Sequence, residues 1–334
     1  MDLTEDELVA TLRRVLSGRD PRVLVGPGDD AAVVESGAGN LVLTTDMLVE
    51  GVHFDRSITS ARDLGYKSIA VNVSDVAAMA ASPRYAMASL ALSEAVDSAW
   101  VVELYGGMLE ASAEYALSLV GGDLSRADRV VVAVAVTGEV ASHMEVRRGG
   151  ARVGDAIVVT GALGAAAAGL LLARAEPPRV ASALGEAWAH GLLRAHFRPV
   201  ARVGEGQTLA QAGATAMMDI SDGLALDLSR LCSESDVGAR VRVGTLPVAE
   251  GVREAAALLG ADPLQLVLSG GEDYELLATL DAGAVEGARR ELDVRFGVGL
   301  TVVGEIIQEG LVEVGEDGHE RRLEPKGWDH FDRN

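Results

Sequence analysis

The sequence predicts two mixed α/β domains, and three observations carry this expectation. Short apolar runs of strand character alternate with longer helical segments along the whole chain. The alternation restarts after Arg147-Arg148-Gly149-Gly150, where the strand-like "AIVVTG" begins, so residues 1–146 and 147–334 are the two expected units. A chain of 334 residues that is 49% hydrophobic also has apolar material for more than one core.

Each element has a local reason. Residues 4–17, "TEDELVATLRRVLS", read as an opening amphipathic helix, and 22–25 as a strand entering the turn "GPGDD". "AAVV" and "LVLTTD" read as two strands joined by the Gly/Asn/Ser-rich turn "ESGAGN". "DLGYKSIAVNVSDVAAMAAS" reads as a helix ended by Ser82-Pro83. "RYAMASLAL" is a strand, "SAWVVELYGGMLEASAEYAL" a helix starting near Ser98, and "SLVGGD" and "RVVVAVAVTGEV" are strands. The second unit opens with "AIVVTG". Helices near 163–174 and 182–195, the strand "TAMMDIS" and the helix "LALDLSRLCSES" follow, and then further mixed elements.

Composition excludes some functions. A net charge of -21 argues against nucleic acid or an anionic membrane as the main partner. It still allows an anionic small molecule bridged by metal ions. The single cysteine, Cys232, excludes an intrachain disulfide and a cysteine metal cluster. Together with an acidic N-terminus that lacks the marks of a signal peptide, it leads us to expect a cytoplasmic protein. The uncharged stretch 156–173, "AIVVTGALGAAAAGLLLA", reaches the length of a short membrane span. Its three glycines and many alanines read instead as a buried strand, a turn and a helix.

"GPGDDA" matches a loose dinucleotide fingerprint, but that loop must open a helix whose amides hold pyrophosphate. Here "AAVVESGAGN" follows, and Asp29 and Asp30 would repel the phosphates. No G-K-[ST] follows a glycine run, so a P-loop is excluded. No nucleophile elbow and no Ser-His-Asp order stands out. His53 has no His or Cys neighbour, which argues against a transition-metal site.

Acidic residues recur in one style. Asp30 follows a glycine turn, Asp46 ends a strand, Asp75 sits in an apolar helix and Asp123 follows "VGG". Asp219 and Asp222 flank Ser221 in "DISDG", and Glu272 and Asp273 follow "SGG". Singly, Asp222 reads as a helix cap, Asp30 as a turn former and Asp75 as a solvent-facing acid. Collectively they outnumber the nearby cations, of which Lys67, Arg126, Arg147 and Arg148 are candidates. Carboxylates gathered in this way suit Mg²⁺ shared with substrate phosphates, the requirement of phosphoryl transfer.

The ordered set "GPGDDAAVV", "TTDMLVEGVHF", "YKSIAVNVSDVAAM", "GGDLSR", "RRGGARVGD", "DISDGL", "SGGEDYEL" and "GWDHF" resembles the thiamine-monophosphate kinases, from about residue 5 to 331. The resemblance implies a fold shared with aminoimidazole ribonucleotide synthetase, with N-terminal domains pairing into a dimeric β-barrel. It implies a homodimer that uses ATP and several Mg²⁺ ions to phosphorylate thiamine monophosphate by direct in-line transfer, the last step in making thiamine diphosphate. No catalytic side chain and no phosphoenzyme are expected. Carried over, Asp30, Thr45, Asp46, Asp75, Asp123, Asp219 and Asp222 become metal ligands. Asp30, Thr44, Tyr105, Gly122, Asp123, Arg148 and Ser221 contact ATP, and His53, Glu272 and Trp328 contact the thiamine substrate. Leu124 departs from an expected threonine, "AAMAASP" from "AAMGA", and Asp29 has no assigned role.

Relatives on the same fold are the rivals. The selenophosphate and hydrogenase-maturation relatives would want a cysteine near one terminus, whereas Cys232 lies on an expected helix as a small core residue. The purine-pathway synthetases share the fold but not "SGGEDYEL" and "GWDHF". A non-catalytic metal- or nucleotide-binding protein would have no reason to retain costly buried acids.

Overall fold

A computed structural model describes residues 22–25, 29–36, 39–175 and 183–330. The expected helix at 4–17, the glycines of the GPGDD turn and part of the "ESGAGN" turn lie outside the described residues.

The first unit is an open six-stranded sheet, β1 (Val23–Val25), β2 (Ala32–Glu35), β3 (Asn40–Val49), β4 (Ser82–Leu92), β5 (Ser118–Arg126) and β6 (Val131–Val140), in the order β1-β2-β3-β6-β4-β5. All pairs are antiparallel except β4 with β5. Alternation sets the faces, so Val132, Val134 and Val136 turn inward toward one core.

Helix α1 (Ala61–Ala78) lies on β3, β4 and β6, and α2 (Ser98–Glu114) packs on α1. Ser60 caps α1 by accepting from the Asp63 amide. Nearly every side chain of α1 is buried, because the sheet, α2 and the second unit enclose it. The run of Ala, Gly, Ser and Val makes that enclosure possible. A Cβ on Gly65 would lie 1.9 Å from Leu104 O, and one on Gly107 1.8 Å from Arg62 O. The two helices therefore cross backbone to backbone.

The end of α1 differs from expectation. It stops at Ala78, Ala80 adopts φ 58°, and Ser82 and Pro83 open β4 instead of terminating the helix. Proline is tolerated there because it sits at the strand's start, beside a register shift.

The second unit is a seven-stranded sheet in the order β13-β12-β9-β11-β7-β10-β8. Its strands are β7 (Ala156–Thr160), β8 (Ala216–Asp219), β9 (Gly238–Arg242), β10 (Leu276–Leu280), β11 (Leu300–Ile307), β12 (Leu311–Val314) and β13 (Glu320–Arg322). Helices cover both faces, so the central strands β7 and β10 are buried at every position. Ile157 and Val159 enter one core while Ala156 and Val158 enter the other. Helix α3 (Ala165–Arg174) follows β7, which resolves the uncharged stretch into strand, turn and helix. Among the described residues no helix is long and apolar enough to cross a membrane. Next come α4 (Glu186–Phe197), α5 (Val203–Gln211) and α6 (Leu224–Ser235), which carries Cys232. Burial among apolar side chains pushes that thiol up to about 12. Neither sheet closes on itself, so the described residues of one chain form no barrel.

The close crossing of α1 and α2 is testable. Gly65→Ala is expected to cost about 3 kcal/mol in urea denaturation, the upper end of ordinary overpacking. Gly287→Ala, with nothing within 4 Å of the added methyl, should gain about 0.5–1 kcal/mol by helix propensity. Equal effects at the two positions would contradict the crossing.

Candidate active site

The two units meet along α1, and the acids meet there too. Asp75 projects from α1, Asp219 ends β8, and Asp30 follows the turn that leads into β2. One carboxylate oxygen from each lies within 4.8 Å of the others. Neighbouring hydroxyls and a guanidinium hold them. Thr44 Oγ1 donates to Asp75 (2.6 Å), Ser74 Oγ donates to Asp219 (2.6 Å), and Arg148 makes paired bonds to Asp30 at 2.9 and 2.8 Å. Asp29 accepts from the Arg148 amide (3.1 Å), and the Asp46 amide donates to Asn72 Oδ1 (3.0 Å).

A buried carboxylate dyad or triad resists ionisation. Burial first, and then the charges of Asp46, Asp219 and Asp30, push Asp75 well above the ordinary carboxylate range. Burial and Asp30 do the same to Asp219. Asp46 rises to about 6 through burial and Asp222, and Asp29 to about 6 through burial and Asp30. One arginine does not balance this group, and a hard cation with oxygen ligands would.

The loop after β8 is shaped by a residue outside the expected set. Buried Asp227 accepts from the amides of Ser221, Asp222 and Gly223 at 3.1, 3.0 and 3.1 Å. Arg230 Nη1 bridges Asp227 (3.2 Å) and Asp222 (2.5 Å). Asp222 is thus not the cap of α6, since its side chain turns to Arg230.

A cavity of about 760 Å³ opens from the acids. Asp46, Asp75, Asp219 and Asp222 line it together with His53, His196, Glu272, Trp328 and His330. Glu272 follows two glycines and adopts φ 68°, a strained conformation for this residue. Lys67 Nζ lies 2.6 Å from its Oε1, and His196 Nδ1 approaches Oε2 at 3.1 Å without the alignment of a hydrogen bond. Burial would raise this carboxyl, but the Lys67 charge and His196 hold it at about 2. Asp273 beside it accepts from the Gly164 amide (2.9 Å), and burial pushes it to about 8. Trp328 and His330 also line the cavity. The Trp328 amide donates to Asp222 O (3.0 Å), and its Nε1 donates to His330 Nδ1 (3.1 Å). His330 Nε2 stands 3.4 Å from His53 Nε2, while His53 Nδ1 accepts from the Val49 amide (2.9 Å).

Comparison with known proteins places this architecture. Residues 28–140 match the AIR synthase related protein N-terminal domain, and 152–316 match the corresponding C-terminal domain. The thiamine-monophosphate kinase of Aquifex aeolicus (strain VF5) is 37% identical over 308 residues, 91% of this chain and 92% of that protein. The chain belongs to the thiamine-monophosphate kinase family. The thiamine-monophosphate kinase of Escherichia coli (strain K12) is also 37% identical, over 92% of both chains. The solved structure of AaThiL complexed with AMPPCP and TMP superposes with a TM-score of 0.84 at 34% identity, covering 99% of each chain.

Not every residue assigned by resemblance to the thiamine-monophosphate kinases gathers here. Thr44 and Arg148 both bond to Asp30, and none of the three lines the cavity. Thr45, Asp46, His53, Asp75, Asp219, Ser221, Asp222, Glu272 and Trp328 border the cavity, with Thr45 Oγ1 donating to Val134 O (3.0 Å). Gly122, Asp123 and Tyr105 do not. Sheet register pairs Asp46 with Val134, Val134 with Ala88, and Ala88 with Gly122. Three strand spacings put Gly122 roughly 14 Å from Asp46. Tyr105 lies on α2, and Leu124 is exposed on β5. Sequence reading did not single out Ser74, Asn72, His196, Asp227, Arg230 or His330. Ser74 adjoins Asp75, and Asp227 and Arg230 are spaced for one helix face, but those are weak signals.

The raised acids give stability a sign with pH. Asp46 and Asp29 at about 6, Asp227 at about 7 and Asp273 at about 8 all start from an ordinary 3.8. Their protons are held more tightly in the folded chain, so their contribution is full below the ordinary value and is lost as pH rises through the shifted values. Glu272, at about 2, acts only in stronger acid, and the imidazoles of His53 and His196, which burial holds below their ordinary value, oppose the trend with only two groups against four. In a chelator, the melting temperature is therefore expected to fall from pH 5 to pH 8, and added Mg²⁺ should recover more at pH 8 than at pH 5. A flat profile would remove the electrostatic account.

Proposed function

We propose that this chain transfers the γ-phosphoryl group of ATP to the phosphate of thiamine monophosphate, giving thiamine diphosphate and ADP. The observation that carries the reading is the junction of three clustered carboxylates with a cavity of about 760 Å³ whose wall also bears Glu272, His53 and Trp328. It occurs in a chain alignable end to end with thiamine-monophosphate kinases.

The acids suit several Mg²⁺ ions. They are oxygen donors only, they are too close to ionise together unaided, and among the described residues no His or Cys joins the cluster. Asp30, Thr45, Asp46, Asp75, Asp219 and Asp222, with Asp123, are the proposed ligands. Bound there, the ions would offset charge on the phosphoryl oxygens. Thr44, Arg148 and Ser221 would contact ATP together with Tyr105 and Gly122. Trp328 offers an aromatic face to a substrate ring, and Glu272 an ionised acceptor. The attacking oxygen of thiamine monophosphate is already anionic, so no side chain needs to remove a proton. The bond from that oxygen to the γ-phosphorus forms as the bond to the ADP oxygen breaks. The protein's work is alignment of the two phosphates.

The reading extends to assembly, with residues 1–146 holding nucleotide and making the dimer and 147–334 closing the substrate cleft. Among the described residues nothing covers the face of the first sheet away from α1. Leu43, Met47, Tyr85 and Met87 stand exposed there, and edge strand β5 exposes Val120 and Leu124. A contiguous apolar face with an open edge calls for a cover, and a second copy closing a barrel supplies one. Asp123, which pairs with Ser89 on that face, then reaches the partner's cavity.

Purified protein with Mg²⁺, ATP and thiamine monophosphate should release ADP and thiamine diphosphate one for one. ADP release indifferent to thiamine monophosphate would end the proposal. Asp75→Asn should lower kcat on the order of 1000-fold, the scale of several kcal/mol of lost charge stabilisation. Mixing inactive Asp75→Asn with inactive Asp123→Asn chains should restore about one quarter of full activity, because half the dimers are mixed and each then holds one intact site. A mixture that stays inactive would return Asp123 to its own chain's site or to none.

A further inference from the structure

Lys67 is a lysine where helices rarely carry one. Its side chain is only 3% exposed, it lies on α1 with buried neighbours all round, and its ammonium points out of the first unit into the second. There it meets Glu272 at 2.6 Å. Lys67 is not among the residues lining the cavity, whereas Glu272 is, with a side chain 27% exposed.

Stability does not explain this arrangement well. Desolvating a lysine and a carboxylate together is costly, and apolar replacements of buried ion pairs are often as stable. Glu272 adds a second cost through its left-handed backbone, and Tyr274 repeats it two residues on at φ 50°. Such strain persists when the surroundings over-determine a side chain's placement. Here Lys67 occupies Oε1 and His196 crowds Oε2, so the carboxylate cannot turn. Its remaining lone pairs face the cavity.

We propose that Lys67 is a positioning residue for substrate recognition: from the opposite unit it orients Glu272 so that the carboxylate accepts a hydrogen bond from an N–H-bearing ring of thiamine monophosphate. This rests on the thiamine-monophosphate kinase reading above. Lys67 touches neither substrate nor reacting atoms, and its effect passes entirely through Glu272. Because Glu272 arrives from the second unit and Lys67 from the first, the acceptor is set only where the units meet. Ring recognition is thereby tied to the same seam that gathers the acids.

The test is a double-mutant cycle read in steady-state kinetics. Lys67→Met should raise KM for thiamine monophosphate about tenfold or more, leaving kcat and KM for ATP within about threefold. Glu272→Gln should raise the same KM. Adding Lys67→Met to Glu272→Gln should change it by less than about twofold, since the lysine then has no carboxylate to orient. The double variant also keeps the test usable if Lys67→Met alone misfolds around an unpaired charge, because there the charge is gone. Multiplying effects would overturn the proposal, as would a loss confined to kcat or to KM for ATP. If the unaltered chain phosphorylates no thiamine monophosphate, the functional reading falls first and this inference with it.

Discussion

Repulsion among carboxylates organises this molecule. Asp30, Asp75 and Asp219 come from a turn, a helix and a strand of two different units, and the fold brings them within 4.8 Å of one another. Nothing in hydrophobic burial favours that meeting. It is held by hydrogen bonds from Thr44, Ser74 and Arg148, and by α1, whose enclosure on all sides leaves it no room to withdraw Asp75. The backbone-close crossing at Gly65 and Gly107 and the hydrogen bond from Ser74 to Asp219 are parts of one solution. The unfavourable charge is concentrated where a cation and a polyphosphate can relieve it.

Two sets of carboxylates at the cavity use burial in opposite ways. Burial and like charges push Asp75 and Asp219 upward, so these groups favour an added counter-charge. At Glu272 the chain supplies the counter-charge itself, and the carboxyl is held at about 2. The proposed site, which would take a metal-bound phosphate group and orient a particular ring, would use both.

Much of the fold was legible because its strands obey period two. The valines of β6 and the two-sided run of β7 each announce a face, and the restart after Gly150 announces the second sheet. The helix α1 was legible as a helix but not in its ending. Pro83 looked like a terminator, yet the turn at Ala80 had already stopped the helix. The acids were legible as a style and not as a place, because proximity of Asp30 to Asp219 depends on how two sheets stack about α1. Asp222 illustrates the limit. A cap and a ligand look alike in "ISDGL", and the turn of the side chain to Arg230, eight residues on, removes only the cap. Asp227 was invisible for the same reason, since a first-turn acid on a helix is ordinary until three amides are found pointing at it.

The seam between the units also accounts for how the proposed site could work by alignment. Lys67 crosses it to Glu272, Ser74 crosses it to Asp219, and Arg148, just past the expected boundary, reaches back to Asp30. Each crossing joins a charged or polar group of one unit to a carboxylate of the other. A rotation of one unit against the other would loosen all three at once, so alignment of both phosphates depends on a single rigid junction. For a transfer whose nucleophile is already anionic, that alignment is the main thing a protein can contribute. The physical quantity such a site must hold is then the relative placement of two sheets about α1, and the meeting of the acids is its visible consequence.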